Sequence, residues 1–364
     1  MKPIYLDNNG TTPLDPRVID AMVEELKIGP SNPSSIHALG RAAKNRLFHA
    51  REIVANHFRA RSEEIVFTSS GTEALNLAIL GMPIHGKILS TRIEHAAVYN
   101  TLSRTNHPIE YLPVNASGHI DPSTLEKAMS PDVRLLVLSA VNSETGVKNP
   151  LETIAKIAQA HRTPLIVDGV ALLGKELFTI PEGVTAMAFS GHKIHGPKGI
   201  GCLFIRKDTP LSAQLTGGGQ EKGLRSGTEN LAGIMGFAKA IELLDEELPK
   251  ATDRMARLRD HFESSLEAAI LVGTGPRICN TSCLTFPGID GESLLIQLDM
   301  TGICASMGSA CSSGALEPSR VLLEMGLTQL QARSTLRFSL SRFTTEEEIR
   351  LAVNLLSSHT HCKK

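Results

Sequence analysis

Lys193 stands in the run SGHKIHGPKGIG, where an apolar stretch gives way to glycines. A lysine at the carboxyl end of a parallel strand lies on the sheet edge where open α/β folds bind ligands. Partial desolvation there lowers the basicity of its amine, and a neutral amine can form a Schiff base with a carbonyl. Asp168 ends the apolar run PLIVDGV, about one strand–helix unit upstream. A carboxylate so placed can pair with a pyridinium nitrogen and make that ring an electron sink. In FTSSGTEALN a strand meets a helix at Ser70, Gly71 and Thr72. The free N–H groups and the dipole of a helix start suit a phosphate. GGGQEKGLRSGTEN offers a further phosphate contact or a flexible connection. Alone, each segment also reads as ordinary structure: a surface lysine, a helix N-cap, a capped helix start, a loop.

These residues need a scaffold, and the chain supplies an alternating one. Strand-like apolar runs cover residues 64–70, 87–98, 134–142, 164–170, 184–192 and 201–207. Helical stretches such as GTEALNLAIL and LETIAKIAQAH lie between them, and residues 16–26 place Ile19, Met22, Val23 and Leu26 on one helical face. Strand, helix, strand in this order predicts an α/β fold with a mostly parallel sheet, covered on both faces and joined by right-handed crossovers. After about residue 235 the character changes. Residues 239–269 form a long charged helical region that Pro249 interrupts. Short strands follow, then a Gly- and Ser-rich segment around Cys311. The last amphipathic helix is capped by Thr344 or Thr345, with Ile349, Ala352, Val353 and Leu356 on one face. The expected organisation is a large α/β domain over residues 14–257 and a smaller α+β domain formed by 1–13 with 258–364.

Composition narrows the function classes. A chain of 364 residues suits one large domain and one smaller one. With 41% hydrophobic and 21% charged residues it is an ordinary globular chain, which excludes disorder as its main state. A net charge of −1 excludes a strongly basic nucleic-acid binder. Six cysteines are too few for a disulfide scaffold. MKPIYLDNNG contains no apolar signal region, and no apolar run approaches the ~18 residues of a membrane helix. No membrane partner is therefore expected, and the setting is reducing and cytoplasmic. GMPIHGKI begins like a P-loop, but Ile88 stands where Ser or Thr must hold magnesium. His192 and His195, and Cys279 and Cys283, lack a second matching pair, so no metal is expected.

In order, Thr72, His95, Asp168, Ser190, His192, Lys193, Arg225 and Thr228 form a set that resembles the cysteine desulfurases, the NifS/IscS-like, class-V branch of fold-type I pyridoxal-phosphate enzymes. The resemblance runs nearly end to end, through YLDNNGTTPLDPRV, SNPSSIHALGR, VFTSSGTEALNLAI, IEHAAV, GHKIHGPKGIG, GGGQEKGLRSGTEN, GSACSSGALEPS and RFSLSRFTTEEEI. It implies a fold-type I transferase with pyridoxal 5'-phosphate as cofactor. Lys193 is then the lysine that carries the cofactor, and Asp168 pairs with its ring nitrogen. His95 stacks on the ring and takes part in acid–base steps. Gly71, Thr72, Ser190 and His192 hold the phosphate. Thr228 reaches the phosphate of the other subunit, which implies a homodimer. Arg337 binds the substrate carboxylate through its planar fork.

The neighbours of Cys311 are nearly all Gly, Ser and Ala, which predicts a mobile loop. Its position matches the family's persulfide-forming cysteine. The implied reaction converts L-cysteine to L-alanine: Lys193 removes the Cα proton, and the Cys311 thiolate takes the sulfur. The persulfide then serves an acceptor protein, either a scaffold for iron–sulfur cluster assembly or a tRNA-thiolation enzyme. Cys202, Cys279, Cys283 and Cys304 read as buried free cysteines and Cys362 as an incidental exposed one.

Two positions depart from the family pattern. Ser143 in VNSETG stands where the family has an Asn, and Ala171 where it has a Gln that bonds the ring hydroxyl. Each change removes a donor worth about 0.5–1.5 kcal/mol. The chain ends soon after its last helix, so the scaffold contact made by longer relatives is not expected. Two further readings share the same core. One is a selenocysteine lyase or another β-eliminating pyridoxal-phosphate enzyme. The other is a degenerate homologue acting as a binding subunit, against which the retention of Lys193, Asp168, His95, Arg337 and Cys311 argues.

Overall fold

Apolar runs that end in polar residues form the spine of the molecule, seen here in a computed structural model that describes residues 3–308 and 317–360. The first half contains β1 (Ile4–Tyr5), α1 (Pro16–Lys27), α2 (Ala38–His57), β2 (Ile65–Thr68), α3 (Gly71–Gly81), β3 (Lys87–Thr91) and α4 (Ala96–Leu102). It continues with β4 (Ile109–Leu112), α5 (Pro122–Ala128), β5 (Val133–Ser139), α6 (Leu151–Ala160), β6 (Leu165–Asp168), β7 (Ala186–Ser190) and β8 (Gly201–Ile205). The second half has α7 (Leu231–Ser264), β9 (Ile270–Leu271), β10 (Thr281–Thr285), α8 (Gly291–Met300) and β11 (Ile303–Cys304). After the Cys311 segment come α9 (Arg320–Glu324), α10 (Gln329–Arg333), β12 (Thr335–Ser339) and α11 (Glu346–Thr360).

Seven strands pair in the order β2-β8-β7-β6-β5-β3-β4. Every pair is parallel except the two that β8 makes, so β8 alone runs against the rest. The strands β2, β6 and β7 are buried at every residue, as a sheet covered on both faces requires. One core, with Leu136, Val167, Phe189 and Phe237, fills one face; another, with Leu75, Val137 and Ile166, fills the face beneath α3. The mostly parallel α/β sheet expected from the alternation is present.

A separate apolar cluster joins Ile4 and Leu6 to Phe262, Leu298, Phe338 and Leu356. It lies among a three-stranded antiparallel sheet, β12-β10-β9, and a β1-β11 pair. The N-terminal strand thus packs with the C-terminal third of the chain. Thr345 caps α11 in a reciprocal box with Glu348, and Ile349, Ala352 and Leu356 of the expected face are buried.

Three local expectations are corrected. Strand β3 stops at Thr91 rather than continuing to residue 98, because His95 caps a new helix there by accepting the Ala97 N–H at 3.0 Å. Pro249 does not interrupt α7, which runs unbroken from Leu231 to Ser264. Leu248, Ala251 and Met255 are buried together on either side of it, and that packing offsets the missing hydrogen bond. In α1 the core side is marked by Val18, while Ile19 is 44% and Leu26 67% exposed. The helix turns Met22 against Gly236 of α7, which rotates the Ile19–Leu26 stripe outward.

Candidate functional site

Because β2, β3, β5, β6 and β7 point the same way, the polar residues that end them gather on one sheet edge. A pocket lies along that edge, lined among others by Gly71, Thr72, His95, Asp168, Ser190, His192, Lys193 and Arg337. Open α/β sheets place their ligand sites there for this topological reason. Each lining residue arrives by a local rule. Ser70 caps α3 by accepting the Glu73 N–H at 3.1 Å, which leaves the start of that helix as an anion-binding end. Gly201 on β8 sits opposite Ser190, and a Cβ there would come within 3.0 Å of the Gly71 nitrogen. Glycine is therefore what lets the helix start press against the strand. Ser190 ends β7 with its hydroxyl buried and without a hydrogen-bond partner among the described residues. A hydroxyl so placed is a donor awaiting an acceptor.

Asp168 is buried at the end of β6, and its carboxylate accepts the Val170 N–H at 3.0 Å. Burial pushes this carboxyl above the usual carboxylate range, while His95, the Val170 N–H and Lys193 pull it back. A cationic ring nitrogen brought against it would restore the charged form. The Nδ1 of His95 accepts from Ala97, so the neutral ring carries its proton on Nε2. Burial, then the charges of Lys193 and Lys198, push His192 down to about 4, so its ring is neutral at pH 7. Its Nδ1 lies 3.1 Å from the Thr11 hydroxyl.

Lys193 closes the turn after β7. Its amine donates to the carbonyl of Gly10 at 2.6 Å and to that of Asn9. The N-terminal segment is laced to the same turn: the Thr12 N–H donates to the His192 carbonyl at 2.9 Å, and the His195 N–H to the Thr12 hydroxyl at 2.7 Å. Arg337 comes from β12, in the other sheet, and is 2% exposed. Its Nη2 lies 2.8 Å from an Asp7 oxygen, and its Nη1 donates to the Ser143 carbonyl at 3.2 Å. Asn9 donates to the same carbonyl at 3.1 Å. Ser143 and Ala171 both line the pocket, so the two departures from the family pattern fall inside the site.

Thr228 is exposed and does not line this pocket. Nearby Arg225 ion-pairs with Glu73 at 2.9 Å, which ties the GGGQEKGLRSGTEN loop to α3. Cys311 lies outside the described residues. Cys202, Cys279 and Cys283 are buried, whereas Cys304 is only partly so. Burial pushes all four thiols up, Cys279 to about 12. Among the described residues no three His, Cys, Asp or Glu side chains converge to hold a metal ion, and no helix is long and apolar enough to cross a membrane.

The residues that the sequence reading left without a role are Asp7, Asn8, Asn9 and Gly10. The available signal was the polar run DNNG directly after a short strand, too dense in hydrogen-bonding groups for a plain connection. Lys175, which carries no signal of its own in the sequence, lines the same pocket.

The whole arrangement is that of an enzyme: a half-buried amine, a carboxylate for a cationic ring and a helix start for an anion, at the switch edge of an α/β sheet. The family model for aminotransferase class-V matches residues 4–351, and the chain belongs to that family. It is 40% identical over 367 residues to cysteine desulfurase IscS of Dictyoglomus turgidum, covering 97% of this chain and 93% of that one. It is also 40% identical to a cysteine desulfurase of a Nostoc species, covering 98% and 92%. Among solved structures, a NifS-like protein superposes with a TM-score of 0.91 at 34% identity, over 98% of this chain and 99% of that one. SspA in complex with cysteine superposes with a TM-score of 0.82 at 30% identity, over 94% and 99%.

Proposed function

We propose that this chain is a pyridoxal-phosphate-dependent cysteine desulfurase that converts L-cysteine to L-alanine and passes the sulfur on through Cys311. The observation that carries the reading is the meeting of Lys193, Asp168, His95, Ser190 and the Gly71–Thr72 helix start in one pocket. The unpartnered Ser190 hydroxyl and the buried Asp168 carboxylate supply the donor and the anion that such a cofactor needs. When bound, pyridoxal phosphate supplies an electrophilic aldehyde and a ring that accepts electron density.

The chain's own residues divide the remaining work. Gly71, Thr72, Ser190 and neutral His192 hold the phosphate, through N–H and O–H donors rather than a full charge. Asp168 holds the proton of the ring nitrogen. His95 would face the ring and keep its own proton at Nε2. The Nζ of Lys193 would hold the cofactor and, once the substrate's amine has displaced it, would accept the substrate's Cα proton. Arg337, already fixed by the Ser143 carbonyl, receives the substrate carboxylate in competition with Asp7. The Cys311 thiolate would then attack the substrate sulfur: the new S–S bond forms as the Cβ–S bond breaks, and the electron pair of that bond leaves with Cβ, which takes up a proton to give alanine. Burial disfavours the thiolate in the four described cysteines, which supports leaving that role to Cys311.

Thr228 is exposed in its own chain, which supports a homodimer in which it serves the partner's phosphate site. The sulfur acceptor is a second protein, a cluster scaffold or a tRNA-thiolation enzyme. A reducing cytoplasm suits a reactive thiol. The test is incubation of the purified protein with L-cysteine and a reductant. Alanine and sulfide appear in equal amounts, and Cys311→Ser keeps the visible cofactor absorbance but releases no sulfide. Sulfide release by that variant at the parent rate would remove Cys311 from the mechanism.

A further inference from the structure

Lys175 is a buried lysine to which the mechanism above gives no task. It is 3% exposed, and it leaves a turn that only glycine can make. Gly174 has φ +74, and a Cβ on it would meet the Ile194 side chain at 2.7 Å. The turn thus brings Lys175 against the residues beside Lys193. Its Nζ donates to the Lys193 carbonyl at 2.8 Å. Its own carbonyl accepts from the Thr252 hydroxyl at 2.9 Å and the Cys279 thiol at 3.1 Å, which fixes the lysine from two other elements.

Among the described residues its charge has no counter-ion. The titratable and charged groups around it are Lys193, Arg342, His195 and Cys279. None is a carboxylate, and the adjacent Glu176 is paired with Lys148 at 2.8 Å. A buried ammonium without an anion is expensive, and such costs persist at functional sites. Burial pushes Lys175 down to about 8, so the charge is present at neutral pH.

We propose that Lys175 is a positioning residue for Lys193: its ammonium fixes the Lys193 carbonyl and sets a positive charge that keeps the Lys193 nitrogen readily deprotonated. A like charge disfavours the charged form of a neighbouring group, and a second cation is a known means of activating a lysine. Asp168 acts on Lys193 in the opposite sense, and His192 lies against it in a neutral form. Lys175 is the counterweight to Asp168. The inference rests on reading Lys193 as the cofactor-bearing lysine.

Borohydride reduction of the parent holoenzyme and peptide mapping locate the attachment first. The pH titration of the visible absorbance is then compared in the parent, Lys175→Met, Lys175→Gln and Lys175→Arg. The two neutral variants move the midpoint up by about one pH unit, and the arginine variant stays with the parent. Cofactor capture by apoprotein at pH 7 slows several-fold in the neutral variants. The methionine variant melts no lower than the parent, because an unpaired buried cation has been replaced by an apolar chain of similar length. Attachment at another residue ends both the reading of Lys193 and this inference. Attachment at Lys193 with unchanged midpoints in the neutral variants ends this inference alone. If only one neutral variant folds, that one decides; if neither folds, Lys175 is a structural residue and the proposal falls.

Discussion

The amine of Lys193 donates to the main-chain carbonyl of Gly10 at 2.6 Å, across a sequence separation of 183 residues. The N-terminal segment that makes this contact also carries Asp7, the partner of Arg337. One short stretch therefore touches both the residue assigned to the cofactor and the residue assigned to the substrate carboxylate.

Gly10→Ala tests that double contact. A Cβ at Gly10 would run into the Asp7 carboxylate, with its Cγ at 3.0 Å. Either the Asp7–Arg337 pair or the Gly10 carbonyl must shift. A tenfold lower kcat/KM for L-cysteine is expected, about 1.4 kcal/mol of lost transition-state stabilisation. Steady-state alanine production measures it, and an unchanged value would separate the N-terminal segment from the site.

Arg337→Lys keeps the charge and removes the planar fork. The Ser143 carbonyl and Asp7 now hold that fork from two sides. Loss of bidentate binding raises KM for L-cysteine by about tenfold or more, with a smaller change in kcat. A variant whose kcat falls while KM stays constant would place Arg337 away from the substrate carboxylate.

Asp168→Asn leaves a neutral side chain of the same size at the end of β6. A hydrogen bond to a charged group is worth about 1.5–3 kcal/mol, so turnover should fall by about 10- to 100-fold. The visible absorbance of the bound cofactor is expected to remain, since Lys193 and the residues assigned to the phosphate are untouched. Full activity in this variant would show that the ring nitrogen does not face Asp168.

Much of this site was legible in the sequence because it sits at strand ends. Asp168, Ser190 and Lys193 each follow an apolar run, and that pattern alone places them on one edge of a parallel sheet. The helix start at Gly71 was equally plain. The contacts from residues 7–10 were not, because nothing local links DNNG to a turn so far along the chain. Lys175 stayed hidden for a different reason: Gly-Lys reads as an exposed turn, and only the packing of Gly174 on Ile194 turns the lysine inward. Periodicity identified the apolar stripe of α1 but not its direction, since Ile19 and Leu26 face outward while Val18 meets the core. Pro249 misled because a helix-breaking residue is outweighed where its neighbours are fully packed.

Glu94 predicts how stability depends on pH. It is 1% exposed; Oε1 accepts the Thr91 hydroxyl at 2.7 Å and Oε2 is buried without a partner among the described residues. Burial pushes its carboxyl up to about 7, against an ordinary value of 4.5. A group whose folded value is raised binds an extra proton on folding, so its contribution is complete below about pH 4.5 and is lost as the pH climbs to 7. Above that range the loss is constant and amounts to at most about 3 kcal/mol. Glu94→Gln carries the neutral form at every pH. Its melting temperature should therefore match the parent's near pH 4.5 and exceed it at pH 8, with the gap opening between those values. A gap that stays the same at both ends would mean that the Glu94 carboxyl titrates alike in the folded and the unfolded chain, and that its burial does not raise it.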